Sequence, residues 1–363
     1  MLSKSLELLF NFGRVLALTP SYRKPETSLL QKCYALAIIT LSTIALGITI
    51  SYRNFYKDNI YIKSAVCALL DVNLLMFNYS TVVVFFWKHK HWEKLVVHLK
   101  IIVSKLDQSK KKSHMAFIFF VVQVVGIVII AMSFKTWMEI YGLQYVKEYN
   151  VQYFQFYLFF TYNVFLIVII SLILALYEKI NKSLGQVMMA NISVENMLST
   201  VNKLDYFLSF LKETVQTFNE IFAWPIALLI SYTCLHILNN SYSVFVQGSF
   251  YKHDKNLVKK LLADIALVVL FFTGTIVLIV KCDLILMEAE KILALSYKLR
   301  KNFGEASSEV KEELFEFSNT IVDNFPMFSA ARFFEIKRSI ILSVLGTVTT
   351  FLVIMIQFRL SYD

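Results

Sequence analysis

The sequence predicts an all-α membrane protein of seven transmembrane helices, its N-terminus inside and its C-terminus outside. Three observations carry that prediction. The 363 residues are 57% apolar and only 17% charged, a balance found in membrane proteins rather than soluble ones. Seven apolar windows recur, each long enough to cross a hydrocarbon core of about 30 Å. The lysines and arginines between them fall unequally on alternate loops. A single integral domain, residues 1–363, is expected, because no repeat or low-complexity linker divides the chain.

Residues 1–20 lack a continuous apolar core and carry Lys4, Glu7 and Arg14. No cleavable signal peptide is therefore expected, and the first span serves as the insertion signal. The spans fall at 30–51, 62–87, 115–134, 153–176, 221–246, 261–287 and 339–358. The second is interrupted by Asp71, Asn73 and Asn78, and the fourth opens on an aromatic run, Tyr153 to Tyr162, followed by Asn163. Segments 88–114, 177–220 and 288–338 are long enough to continue the spans as helices beyond the bilayer. Within 194–219, Leu198, Val201, Leu204, Phe207, Leu208 and Leu211 recur at three- and four-residue steps, with Lys203, Asp205, Lys212 and Glu213 on the other face. Such a stripe needs a protein surface to cover it.

The N-terminal arm and the second, fourth and sixth loops hold 25 lysines and arginines, against ten on the other side. The positive-inside rule then sets the orientation. The net charge of +10 follows from this topology; nucleic acid is not expected as a partner, since the basic residues form no clustered face on a soluble fold. The run Lys110, Lys111, Lys112 reads as a topology determinant attracted to anionic lipid by about 1 kcal/mol per charge, which makes membrane lipids an expected partner.

Four cysteines, Cys33, Cys67, Cys234 and Cys282, lie in apolar segments without metal-ligand spacing, and no disulfide framework is implied. No nucleophile–base pair, zinc spacing or phosphate-cradling glycine loop stands out, so neither an enzyme nor a cofactor is expected. Asp71 is the first residue to need an explanation. A carboxylate at that depth costs about 2.5 to 3.5 kcal/mol on insertion scales, so it must face water, a partner or a ligand. Tyr153 to Tyr157 read as an interfacial aromatic belt, but Tyr162 and Asn163 lie too deep for one. With Asp71, Gln123 in the third span and His236 in the fifth, these two form the candidate ligand-binding set, the few polar groups an aromatic pocket requires. The alternative for each is a hydrogen bond within the bundle. Of the Asn-x-Ser sequons, Asn78 is within a span, Asn181 and Asn191 are on the inner side, and only Asn239 lies near an outer end.

The last span is not uniformly apolar. On a helical projection Ser339, Ser343, Gly346, Thr347, Thr350, Ile354, Gln357 and Phe358 share one third of the circumference. Small residues and hydroxyls on one face suit tight helix packing; they equally suit a helix lining a wet path.

The end of this span, TTFLVIMIQF at 349–358, resembles the C-terminal motif of insect gustatory receptors, Thr-Tyr, five apolar residues, Gln-Phe. Thr350, the apolar run 352–356, Gln357 and Phe358 match it, while Phe351 stands in for the tyrosine. Upstream, Phe328-x-Ala330, the pair Phe333 and Phe334, and Gly346 also have the family's look, so that 328–358 forms a candidate pore-forming region. The resemblance implies a tastant-gated, non-selective cation channel in the plasma membrane of a sensory neuron, assembled as a tetramer of itself or related subunits. The seventh helices would surround the pore, and the cytosolic helix extensions would form an anchor domain. Gln357 and Phe358 would make the gate, and Ile354, Thr350, Thr347 and Ser343 the lining below it. Sugar-sensing members carry Glu after the tyrosine, and Leu352 here argues against a sugar. The alternatives are a G-protein-coupled receptor, whose orientation is the reverse, and a secondary transporter, whose inverted repeat and discontinuous helices are not seen.

Overall fold

The computed structural model describes residues 2–23, 29–53, 61–107, 115–189, 193–250, 256–303 and 307–360. The run Lys110 to Lys112 and Asn191 lie outside them. The described elements are α1 (Leu2–Val15), α2 (Leu29–Tyr52), α3 (Tyr61–Trp87), α4 (His89–Asp107), α5 (Met115–Tyr141), α6 (Leu143–Met189), α7 (Val194–Phe250), α8 (Leu257–Asn302), α9 (Ser308–Asp323), β1 (Ser329–Ala330), β2 (Phe334–Glu335) and α10 (Ser339–Leu360). Seven helices, α2, α3, α5, α6, α7, α8 and α10, are long and apolar enough to cross a membrane, and each expected span lies within one of them.

Helices α6, α7 and α8 run to 47, 57 and 46 residues. At about 1.5 Å per residue they exceed a hydrocarbon core of about 30 Å at least twofold, so the spans continue as helices well beyond it. Helix α6 is the hub. Its apolar window is 83% buried, against 11% for α10, and 164–170 is apolar on all sides, as a helix packed all round must be. Glycine sets two of its closest approaches. A Cβ on Gly126 of α5 would lie 2.2 Å from the Phe160 ring, and one on Gly274 of α8 would lie 2.7 Å from Asn163 Nδ2.

At the end expected to face the cytoplasm, the apolar stripe of α7 is covered within the chain. Val201, Leu204, Leu208 and Leu211 are buried where α4 and α9 pack on α7. His98 of α4 holds Thr214 Oγ1 at 2.9 Å through Nδ1 and packs tilted against the Phe210 ring, while Lys94 pairs with Glu213. Burial holds the His98 imidazole below its ordinary pKa.

The segment between α9 and α10 is a clamp. Ser329 pairs with Glu335 and Ala330 with Phe334, and Ala331 and Arg332 turn the hairpin at positive φ, 50° and 64°, a strained region for both residue types. Asn219 of α7 donates to the Met327 carbonyl at 2.6 Å and accepts from the Ser329 amide. The Ala331 amide donates to the Ala223 carbonyl, and Glu220 bridges Arg332 at 3.1 Å and Lys88 at 2.6 Å. Phe328 and Ala330, the start of the recognised region, are both buried, Phe328 edge-on to Phe218. At its far end Arg338 meets Asp283 of α8 at 2.7 Å, which fixes where α10 begins.

Candidate ligand cavity and pore helix

A cavity of about 460 Å³ opens among α3, α5, α6, α7 and α8, at the end of the spans expected to be outer. Its wall is built by a four-residue repeat. Trp137, Tyr141, Tyr145, Tyr149 and Tyr153 follow one another at steps of four, one turn apart on a helical face. Gly142, with φ of +68°, ends α5 and lets α6 start without breaking the series. Trp137 stacks on Tyr141 and Tyr145 at 5.6 and 5.8 Å between ring centres, and Tyr145 on Tyr149 at 4.7 Å. The Tyr153 hydroxyl lies 3.1 Å from both the Tyr145 hydroxyl and Ser133 Oγ.

A carboxylate stands near each end of the ladder, one of them reached through Arg53. The Arg53 guanidinium lies over the Tyr149 ring, 4.5 Å from its centre, donates to the Glu148 carbonyl and Gln152 Oε1, and pairs with Asp71 at 2.6 Å. At the other end the Trp137 indole donates to Asp264 Oδ1 at 3.1 Å. His236 stacks on Tyr232 and meets Phe156 and Phe271 edge-on, and its Nδ1 is buried with no hydrogen-bond partner among the described residues. The volume lies in the range of about 300 to 1,000 Å³ usual for a small-molecule site, and the aromatic ladder faces a lining rich in polar and charged groups.

Helix α10 stands at the edge of the bundle. It packs on α7 through Ile341, Val344, Val348, Leu352 and Met355, and the polar stripe lies on the opposite side. Ser343, Gly346, Thr347, Thr350, Ile354, Gln357 and Phe358 are all exposed. The Thr347 and Thr350 hydroxyls bond carbonyls one turn back, at 2.9 and 3.0 Å. The side chain of Arg359 lies outside the described residues.

The model of the 7tm chemosensory receptor family matches residues 6–362. The chain belongs to that family. It is a family of chemosensory receptors and not of enzymes, and the receptor is a multi-pass membrane protein with seven candidate spans. Its fold is similar to that of the insect olfactory receptor OR5 from Machilis hrabei, with a TM-score of 0.64, 13% identity and 98% of each chain covered. The same protein solved in complex with eugenol gives a TM-score of 0.69 at 14% identity, again over 98% of each chain. No curated protein sequence matches the receptor.

The cavity gathers some of the expected ligand-binding residues and leaves others out. Asp71 and His236 line it; Gln123, Tyr162 and Asn163 do not. Tyr162 is fully enclosed by Phe77, Phe165 and Phe222, Gln123 accepts from Thr161 at 3.2 Å, and Asn163 is pressed against Gly274. All three sit deeper than the cavity, in helix contacts. The belt reading of Tyr153 to Tyr157 is likewise corrected, since Tyr153 and Phe156 turn inward to the cavity while Phe154 stays exposed. Asn239 also lines the cavity and accepts from Cys67, an orientation unsuited to a glycan. Arg53, Trp137, Tyr145, Tyr149 and Asp264 were not anticipated. The four-residue aromatic spacing across Gly142 is the signal that could have found the ladder; nothing in the sequence marks Arg53.

Proposed function

We propose that this receptor is a gustatory-type subunit of a ligand-gated, non-selective cation channel, opened by a small molecule in the cavity beside Asp71 and His236. The observation that carries it is the placement of the α10 stripe, turned away from the receptor's own bundle and thus available to a shared axis. Four subunits, identical or related, would set Ser343, Thr347, Thr350 and Ile354 around that axis, with Gln357 and Phe358 at its outer end. The match at 349–358 supports the gustatory branch, and a small aromatic ligand in the similarly folded OR5 supports a small-molecule site. The inside placement of the N-terminus rests on the basic-residue bias, and the plasma membrane of a sensory neuron is the setting such a channel requires.

A ring of phenyl groups near an axis excludes water and blocks ions by dewetting, and amides in their place solvate cations weakly. Phe358→Ala therefore leaks current without agonist, and Gln357→Ala changes permeability ratios or unitary conductance more than agonist sensitivity. Whole-cell and single-channel recording checks both. Two surface-delivered variants with wild-type basal current, selectivity and conductance would overturn the pore assignment.

A further inference from the structure

The charges facing the cavity are not balanced. Arg53 and Asp71 neutralise each other, Glu148 takes the amide of Gln144 at 2.7 Å, and Lys63 shares the rim near Asp71. Asp264 on α8 is different. Among the described residues its hydrogen bond comes from the neutral Trp137 indole, and no lysine or arginine pairs with it. Lys260, one turn earlier, lies over the Tyr141 ring at 5.2 Å from its centre. Asp264 is thus a carboxylate without a cation, beside the stacked Trp137, Tyr141 and Tyr145 rings. The charged form of a carboxylate taken out of water is stabilised by a nearby cation, and aromatic faces attract cations and not anions.

We infer that the cavity takes an organic cation, a protonated amine on an apolar or aromatic frame, with its ammonium against Asp264 and the Trp137–Tyr145 rings. The frame lies along Phe156 and Leu267, and His236 Nδ1 meets any hydrogen-bonding group at the far end. This rests on the reading of the cavity as the ligand site. Glu148 and Asp264 together disfavour carboxylates, and a neutral ligand leaves Asp264 as it is.

The test uses three probes on one frame, 2-phenylethylamine, 2-phenylethanol and 3-phenylpropanoate, with binding to the purified full-length receptor measured at neutral pH. The amine is expected to bind at least about tenfold more tightly than the alcohol, the worth of a desolvated cation–aromatic contact, and the carboxylate least. Asp264→Asn removes that preference and Asp264→Glu keeps it. Should the asparagine variant fail to fold, the wild-type order of the three probes together with the glutamate variant still decides. Equal binding of amine and alcohol, or binding of none of the three, overturns the inference. If amine and alcohol bind alike and Phe156→Ala weakens both, the cavity remains the ligand site and only the cationic class falls. If the amine binds best yet neither Asp264→Asn nor Phe156→Ala weakens it, the ligand sits elsewhere and both readings fall.

Discussion

Arg53 and Asp71 form an ion pair at 2.6 Å in which both side chains are only 6% exposed, and the guanidinium is held over Tyr149 as well. The pair joins the end of α2 to α3 and α6. Its placement explains how a span can carry an aspartate, since the charge that offsets it comes from the residue just after the preceding helix.

Removing one partner strands the other as a buried charge. Asp71→Asn and Arg53→Met are each expected to destabilise the receptor by about 3 to 5 kcal/mol, while Asp71→Leu combined with Arg53→Met recovers much of the loss. Thermal melting in detergent checks this. A double variant no more stable than the singles would show that the ion pair is not what links them.

Gly142 separates two helices whose rings must stay stacked. Nothing lies within 4 Å of a Cβ placed there, so the cost of Gly142→Ala comes from its φ of +68°, about 1 kcal/mol for an L-residue in the left-handed region. Because Tyr141 and Tyr145 flank it, agonist sensitivity should fall with stability. Gly185→Ala, in open space within α6, should be neutral or stabilising by up to about 1 kcal/mol. Dose-response curves and melting curves on both variants separate the two effects.

His98 makes the packing of α4 on α7 sensitive to acid. Burial disfavours its charged form, Glu213 opposes that effect and Lys94 reinforces it. The folded receptor therefore takes up this proton less readily than the unfolded chain. The contribution is fully present above the unfolded value of about 6.5 and is lost as pH falls below it. Melting temperature measured from about pH 7.5 down to about pH 5.5 should drop, and drop less in His98→Gln. An identical acid shift in the variant would assign the effect to other groups.

Orientation is checked directly with terminal tags. A C-terminal tag should stain on intact cells and an N-terminal tag only after permeabilisation. The reverse pattern would remove the channel reading and favour the receptor class of opposite orientation.

Seven helices long and apolar enough to cross a membrane, and the helical continuation of the long segments, were legible in the sequence, because apolar length is itself a sequence property. The stripe on α10 was equally legible, since a projection needs only residue order. Its direction was not: that Val348 and Met355, rather than Thr347 and Thr350, meet α7 depends on how the 328–338 clamp sets α10 against its neighbours. The cavity divided in the same way. Asp71 could be singled out because a lone carboxylate in an apolar span is costly wherever it lies. Tyr162 and Asn163 met the same criterion of depth and polarity, yet packing placed them in helix contacts, and depth cannot tell a cavity wall from a core. Asp264, near one end of the 261–287 span, met that criterion too and was not singled out; Arg53 was beyond sequence reasoning, because its role comes from being brought together with Asp71. The sequence by itself determined which segments are long and apolar enough to cross a membrane and which residues would be costly there; only the tertiary structure decided which of those residues share a space, since local patterns fix a residue's face and depth but not the neighbour it meets.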